Sequence, residues 1–326
     1  MRYLVTGCAG FIGYHVVKKL LLKNNTVIGV DSLNNYYDVN LKKNRIKDII
    51  KNNKIKKNFI FLNFNLTNKL AVKKLFLNFK FEIIIHLAAQ AGVRYSIKNP
   101  HSYIENNIIS TTNILECCKN KYLKKIILAS SSSVYGVQNN KKFSEKLKTD
   151  KPISFYAASK IAMESIAYSY YHLYKLPIKI VRFFTVYGPW GRPDMAYFQF
   201  TKNIINGKKI KVFNSGRHTR DFTYISDIVN FIEKIVRKKK NQSLFEIINL
   251  GRGKPEKLMK FISIIEKILK KKTKRIFINA QKGDMINTYA NMRSSSKNYK
   301  LKAKINLERG IESFINWFKN YYKIKY

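Results

Sequence analysis

Two side chains four residues apart, Tyr156 and Lys160, have together the chemistry to remove a proton from a hydroxyl group. On a helix this spacing places both side chains on one face, one turn apart. A phenol with a pKa near ~10 is a poor base at neutral pH, but an ammonium group beside it favours the phenolate. An ordinary exposed helical pair has the same spacing, and a chain with 21 Tyr contains such pairs by chance. The surrounding elements must decide between the two interpretations.

A run of serines precedes this pair where a ligand site is expected. The apolar segment Lys124–Ala129 predicts a buried strand, and Ser130–Ser133 follow it directly, before Val134-Tyr135-Gly136. Parallel sheets bind their ligands at the carboxyl ends of their strands. We therefore expect these hydroxyl groups beside the ligand crevice, with a serine-rich turn as the alternative.

A glycine-rich turn near the amino terminus predicts a dinucleotide site. Arg2–Thr6 is a predicted buried strand, and an apolar helix is predicted to run through Leu22. Between them, Gly7, Gly10 and Gly13 form the pattern Gly-x-x-Gly-x-x-Gly. The first glycine permits the tight turn, the second lets the backbone approach a pyrophosphate, and the third packs helix on strand.

An acidic residue ends the next predicted strand. Thr26–Val30 is apolar, and Asp31 follows it. A carboxylate at this place accepts hydrogen bonds from an adenosine ribose, which favours NAD over NADP. A solvated turn aspartate is the alternative.

The alternation of strands and helices predicts the α/β class, as a doubly wound parallel sheet (Rossmann-like) with right-handed crossovers. Further expected elements are the strands Phe59–Leu62 and Phe81–Ala88, the helix Ser102–Lys119, and a helix carrying Tyr156. We expect His86 to be a core residue with satisfied hydrogen bonds. Beyond Ile178 the pattern loosens, which predicts a smaller, interleaved C-terminal α+β domain. The expected division is residues 1–177 and 178–326, with segments around 214–250 returning to the first domain.

Composition excludes several classes of protein. The net charge is +44, but the lysines are scattered and accompany abundant Asn and Ile, as A/T-rich codons would produce, so nucleic-acid binding is not the expected role. The positive field would instead attract an anionic substrate. No run approaches the roughly 20 apolar residues of a membrane span. The three cysteines, Cys8, Cys117 and Cys118, show no metal spacing and suit a reducing cytoplasm.

Taken together, the chain resembles the extended short-chain dehydrogenases/reductases of the nucleotide-sugar epimerase group. The resemblance covers essentially the whole length. It rests on the glycine pattern, Asp31, the serines, the Tyr156–Lys160 pair, His86–Ala89, Arg220-Asp221-Phe222 and Gly283-Asp284. Within the group it is most similar to UDP-glucuronate 4-epimerases. That similarity is carried by Asn34–Lys42, Ala89–Ser96, Arg182–Ala196, and Gly283-Asp284 with Thr288–Ala290.

The resemblance implies tightly bound NAD and a UDP-sugar substrate. The residues implied for NAD are Gly7, Gly10, Phe11, Ile12, Gly13, Asp31, Asn34, Asn65, Leu66, Leu87, Ala88, Ala89, Asn107, Tyr156 and Lys160. Those implied for the substrate are Arg94, Ser131, Ser132, Ser133, Thr185, Arg192, Arg220 and Asp284. The family usually has Asp where this chain has Asn65 and Asn291, so two carboxylates are replaced. A homodimer is also implied, and no metal is expected.

The implied reaction is reversible oxidation at the sugar C4. Tyr156 takes the hydroxyl proton, Ser131 holds the same oxygen, and Lys160 lowers the Tyr156 pKa and orients the nicotinamide ribose. The keto sugar then turns and receives hydride on its other face. Decarboxylases and dehydratases of the group carry an acid beside the catalytic hydroxyl, where this chain has Ser132 and Ser133. UDP-glucuronate decarboxylase and neutral UDP-hexose 4-epimerase remain alternatives, with a non-catalytic dinucleotide-binding protein a distant one.

Overall fold

A computed structural model describes residues 1–52, 55–138, 142–238 and 243–324. Its strands are β1 (Arg2–Thr6), β2 (Thr26–Asp31), β3 (Phe59–Asn63), β4 (Ile83–His86), β5 (Lys125–Ser131), β6 (Ile178–Phe183), β7 (Thr185–Tyr187), β8 (Ile210–Phe213), β9 (Thr219–Arg220), β10 (Phe222–Tyr224), β11 (Glu246–Leu250), β12 (Glu256–Lys257) and β13 (Arg275–Ile278).

The α-helices are α1 (Phe11–Leu21), α2 (Val39–Lys51), α3 (Lys69–Asn78), α4 (Val93–Lys98), α5 (His101–Tyr103), α6 (Ser110–Cys118), α7 (Phe155–Tyr174), α8 (Ala196–Ile205), α9 (Ile225–Arg237), α10 (Leu258–Leu269), α11 (Arg293–Tyr299) and α12 (Leu307–Tyr322). A π-helical segment, Ile104–Ile109, joins α5 to α6, and short 3₁₀ turns occur at Lys56–Asn58, Ser132–Tyr135 and Asn214–Gly216.

Seven strands form one parallel sheet in the order β11-β6-β5-β4-β1-β2-β3. The strands are apolar along nearly their whole length because helices cover both faces. Tyr3 and Val5 of β1 pack toward α1 and α9, whereas Leu4 packs toward α3, α6 and α7. The chain winds outward from β1 in both directions, so a crevice opens at the carboxyl ends of β1 and β4. The predicted doubly wound sheet is confirmed.

A second core lies beyond the sheet. Helices α8, α10 and α12 pack around the parallel pair β8 and β13, with aromatic side chains at the centre, among them Tyr197, Phe261 and Phe314. Two later segments return to the sheet, since β11 pairs with β6 and α9 packs against α1. The division at residue 177 stays a prediction.

Two predicted elements differ from the observed ones. The fourth strand is Ile83–His86 rather than Phe81–Ala88, because Phe81 packs into the core before the ladder begins and the residues after His86 leave it to line the crevice. The predicted helix Ser102–Lys119 contains the π-helical segment. There the Thr111 hydroxyl donates to the Asn107 carbonyl oxygen at 2.7 Å. Such segments occur frequently at functional sites.

The structure also describes the cysteines, possible membrane spans and possible metal ligands. All three cysteines are free, as expected. Among the residues that the structure describes, no helix has the length and apolar character to cross a membrane, and no group of His, Cys, Asp or Glu side chains could hold a metal.

Candidate active site

A cavity of about 420 Å³ lies at the carboxyl ends of the sheet strands. Its lining includes every residue predicted for NAD except Asn107. It also includes five of the residues predicted for the substrate, which are Ser131, Ser132, Ser133, Thr185 and Arg192. Further lining residues that sequence reasoning missed include Lys42, Gln90, Asn106 and Ser110. The predicted site residues are therefore mostly gathered around one cavity.

The glycine turn leaves room only for hydrogen at Gly7, Gly10 and Gly13. Gly7 has φ +67°, and a Cβ there would lie 2.7 Å from the Ala88 backbone nitrogen. A Cβ on Gly13 would lie 2.0 Å from the Gly7 carbonyl oxygen. Helix α1 begins at Phe11 without a side-chain cap, so its first backbone N–H groups are free to face an anion. This geometry fits a dinucleotide pyrophosphate.

Asp31 lies at the edge of this turn. The Ala9 N–H donates to its Oδ2 at 3.0 Å, and the Leu33 N–H donates to its Oδ1 at 2.9 Å. Two backbone donors hold the carboxylate in one orientation while it still lines the cavity. A carboxylate fixed there can also accept from ribose hydroxyls, so its position fits NAD.

Tyr156 and Ser131 meet across the cavity from different elements. Tyr156 lies in the first turn of α7, where the Ser154 side chain accepts the Ala157 N–H, and Ser131 ends β5. Burial raises the pKa of Tyr156, while a hydrogen bond with Ser131 and the charge of Arg192 act to lower it. The Ser133 N–H donates to Ser131 Oγ at 3.2 Å and so orients that hydroxyl group.

Lys160 occupies the expected place but makes a different contact. Its Nζ donates to the Ala129 carbonyl oxygen at 2.7 Å, and burial lowers the pKa of Lys160 to about 8. The sequence assigned the lowering of the Tyr156 pKa to Lys160. In the structure, Ser131 and Arg192 favour the phenolate, and the lowering of the Tyr156 pKa by Lys160 stays a prediction.

A buried ion pair supports the serine run from behind. The Arg182 guanidinium donates to both Glu164 carboxylate oxygens, at 3.0 and 2.6 Å, and the Ser130 hydroxyl donates to the same carboxylate. The charge of Glu164 also opposes the fall of the Lys160 pKa. Sequence reasoning missed this pair, although Tyr156, Lys160 and Glu164 follow one another at four-residue intervals on one helix face.

Arg192 also lines the cavity, from the segment after β7. Its Nε donates to Asp194 Oδ1 at 3.0 Å, and the Tyr36 hydroxyl donates to Asp194 Oδ2 at 3.2 Å. Thr185 lines the cavity too. Arg192 thus already binds one carboxylate beside the cavity, which is the kind of group that a sugar acid would present.

Three residues predicted for the diphosphate end lie outside the cavity lining. Arg94 Nη2 is 3.1 Å from Asp284 Oδ2, and its guanidinium lies 4.1 Å from the centre of the Phe213 ring. Arg220 donates to the carbonyl oxygens of Thr219 and Ile286 at 2.9 and 2.7 Å. Arg94 and Asp284 are therefore brought together, and the opposing charges of Asp284 and Arg94 both act on the pKa of Arg220, which burial lowers to about 10.

Asn107 lies one layer behind the cavity rather than on its surface. Its amide donates to the Gln90 carbonyl oxygen at 3.1 Å and to Ser159 Oγ at 2.9 Å, and its Oδ1 accepts the Gln90 N–H at 2.8 Å. These bonds hold Gln90, which lines the cavity, and the predicted contact of Asn107 with NAD stays a prediction. His86 is a core residue, as expected, with Thr6 and Thr111 hydroxyl oxygens 2.8 and 3.1 Å from its ring nitrogens.

Comparisons with known proteins agree with this geometry. Residues 3–251 match the NAD dependent epimerase/dehydratase family. Protein CapI of Staphylococcus aureus is 43% identical over 338 residues, covering 99% of this chain and 100% of that protein. The UDP-glucuronate 4-epimerase of Thermodesulfobacterium geofontis is 44% identical over 318 residues, covering 97% of this chain and 96% of that protein. The crystal structure of the Bacillus cereus UDP-glucuronic acid 4-epimerase with UDP-glucuronic acid and NAD superimposes with a TM-score of 0.92 at 34% identity, covering 99% of this chain and all (100%) of that one.

Proposed function

We infer that this chain, which belongs to the NAD dependent epimerase/dehydratase family, is an NAD-dependent UDP-glucuronate 4-epimerase. It converts UDP-glucuronate to UDP-galacturonate through a 4-keto sugar. The observation that carries this inference is the meeting of Ser131, Tyr156 and Lys160 in a cavity that the glycine turn and Asp31 also line. When bound, NAD accepts hydride from the sugar C4 and returns it.

The proton steps belong to this chain's own residues. We assign to Tyr156 the removal of the C4 hydroxyl proton and its return, because its oxygen lies in the cavity and bonds with Ser131. Ser131 holds the same sugar oxygen. Lys160 presents an ammonium donor to the nicotinamide ribose, and Asp31 accepts from the adenosine ribose.

The sugar carboxylate needs its own donors. A 4-keto sugar acid is a β-keto acid and loses CO₂ readily unless its carboxylate is held. We assign this role to Ser132, Ser133, Thr185 and Arg192, which all line the cavity. The diphosphate end we assign to Arg94, Arg220 and Asp284, where the Arg94–Asp284 pair would have to rearrange around the ligand.

The product distinguishes this function from its relatives. Purified protein given UDP-glucuronate is expected to form UDP-galacturonate, approaching a mixture of the two sugars from either side, with little release of CO₂. Chromatography of the nucleotide sugars and trapping of labelled CO₂ measure both outcomes, and UDP-glucose serves as the neutral control. CO₂ as the main product would identify a decarboxylase, and turnover of UDP-glucose alone would identify a neutral-sugar epimerase. Binding of NAD without any product would favour the non-catalytic alternative.

The pH dependence of kcat/KM should follow the protonation of Lys160. With its pKa near 8, Lys160 loses its ammonium as the pH rises through that value, so kcat/KM is expected to fall on the alkaline side. Glu164 raises the Lys160 pKa, so Glu164→Gln should move this alkaline limb to lower pH. Profiles between pH 6 and 10 measure the shift. Glu266→Gln, which alters a buried carboxylate paired with Arg275 away from the cavity, is the matched control. Identical limbs in both variants and the wild type would contradict the assignment.

The proposed function is joined by a proposed oligomeric state and a proposed cellular location. We propose a homodimer in which the outer faces of α6 and α7 pair with a second copy. Exposed apolar side chains such as Ile109, Tyr168 and Leu173 lie on or beside these helices and support it. We also propose a cytoplasmic location, which suits three free cysteines. Nucleic acid is not a proposed partner.

A further inference from the structure

Arg45 is a fully buried cation that contacts two separate segments of the chain, each next to residues that line the cavity. It lies in α2, and its side chain has 0% exposure. Nη1 donates to the Ala9 carbonyl oxygen and the Tyr37 hydroxyl, both at 2.7 Å. Nη2 donates to the carbonyl oxygens of Trp190 and Gly191, at 2.6 and 3.3 Å. One guanidinium therefore joins the glycine turn to the segment that precedes Arg192.

The charge of Arg45 has only neutral partners. No ion pair of the described residues includes it, and its Nε is buried without a hydrogen-bond partner. A buried charge is expensive unless it is neutralised or fully hydrogen-bonded. Packing alone would be served as well by an apolar side chain of similar volume. A buried cation with only neutral protein partners favours an anion outside the protein, and the glycine turn to which Arg45 donates is the predicted site of an anionic pyrophosphate.

The second segment, the turn at Trp190 and Gly191, is held in an uncommon conformation. Trp190 has φ +61°, a left-handed value that costs a non-glycine residue roughly 1–2 kcal/mol. Its ring lies between aromatic side chains, with centroids 5.3 Å from Tyr14 and 5.2 Å from Tyr321. His15 Nε2 also lies 2.9 Å from the Pro189 carbonyl oxygen. This turn directs two successive carbonyl oxygens at Arg45, two residues or fewer from Arg192.

We propose that Arg45 is a positioning residue that couples NAD binding to binding of the UDP-sugar. It holds the Trp190–Gly191 turn against the glycine turn, so Arg192 faces the cavity when the dinucleotide end is ordered. Its charge stabilises the pyrophosphate from beneath the same turn. By reciprocity, NAD should tighten UDP-glucuronate binding and UDP-glucuronate should tighten NAD binding by the same factor. This inference rests on the proposed function.

The test measures that coupling factor without turnover. All variants carry Tyr156→Phe, so UDP-glucuronate binds but does not react. Calorimetry gives the Kd of NAD with and without saturating UDP-glucuronate, and the ratio is the coupling factor. Arg45→Lys keeps the charge but replaces the planar guanidinium by an ammonium group, which cannot bond both the glycine turn and the Trp190–Gly191 turn. We expect it to reduce the coupling factor at least about threefold, within the range that such couplings span.

Controls separate coupling from general stability. Arg275→Lys alters a half-buried guanidinium paired with Glu266 in the second core and should leave the coupling factor unchanged. Three outcomes would each overturn the proposal. The coupling factor could change less than threefold in Arg45→Lys, or fall equally in Arg275→Lys. It could also be below three in the Tyr156→Phe parent. Failure of UDP-glucuronate to bind the parent at all would instead overturn the proposed function, so the two failures are distinguishable.

Discussion

Tyr156→Phe is expected to lower turnover of UDP-glucuronate by about 10³-fold, while the protein still binds NAD. The substitution removes one oxygen atom from a side chain in the first turn of α7 and leaves its ring in place beside Tyr103, whose centroid is 6.0 Å away. The Ser131 hydroxyl remains but has no charged partner to which it can pass a proton. Rates of UDP-galacturonate formation and the NAD content of the purified protein measure the two halves of this expectation.

Tyr168→Phe is the matched control for this substitution. It removes a hydroxyl group from the same helix, but Tyr168 is 53% exposed and contacts Phe245 through its ring, which Phe retains. Turnover in this variant should equal that of the wild type. Retention of near-normal turnover in Tyr156→Phe would reject Tyr156 as the base, and loss of NAD in that variant would show that the phenol serves binding rather than proton transfer.

Site features that depend only on residues close together in the sequence could be predicted from it. The glycine turn, Asp31 and the serines after β5 follow from strand ends and local spacing, because a parallel sheet places all carboxyl ends at one edge. The Tyr156–Lys160 pair also lies on one helix face as its spacing requires. Such signals need no knowledge of distant contacts, and the structure gathers these residues around the cavity.

Features that depend on distant partners were not predictable. Glu164 reads as an ordinary helical residue until the structure places Arg182, 18 positions away, against it. Arg45 belongs to a basic amphipathic helix, and its Trp190 partner lies 145 positions away. The orientation of Lys160 toward the Ala129 carbonyl oxygen depends on how α7 packs on β5, which the helix spacing does not determine. Side-chain direction at the site is thus a tertiary property.

Arg192, which lines the cavity, is already paired with the carboxylate of Asp194, close to the place proposed for the sugar carboxylate. The substrate carboxylate must share the Arg192 guanidinium with Asp194 or displace it. Because Arg192 also helps to lower the Tyr156 pKa, its position bears both on binding and on proton transfer. Removal of Arg192 must therefore be judged by comparing UDP-glucuronate with a sugar that lacks the carboxylate, because an effect on proton transfer would be common to both.

Arg192→Met is expected to raise the KM for UDP-glucuronate by about 100-fold, since loss of a charged partner of a desolvated carboxylate costs roughly 2–5 kcal/mol. The inhibition constant of UDP-glucose, which has no carboxylate, should change much less. The same variant should release a larger share of CO₂ per turnover, because the β-keto acid is no longer restrained. Initial rates, competition with UDP-glucose and trapping of labelled CO₂ measure these three effects.

Asp194→Asn is the matched comparison, because it leaves the Arg192 cation in place and removes the carboxylate that competes for it. If the sugar carboxylate binds Arg192, this variant should bind UDP-glucuronate at least as tightly as the wild type, whereas Arg192→Met weakens it. If Arg192 instead serves only to hold the Tyr36 segment through Asp194, both variants should weaken UDP-glucuronate and UDP-glucose alike. Equal effects on the two sugars would therefore remove Arg192 from carboxylate recognition, while opposite effects of the two variants would establish that the guanidinium is what selects a sugar acid.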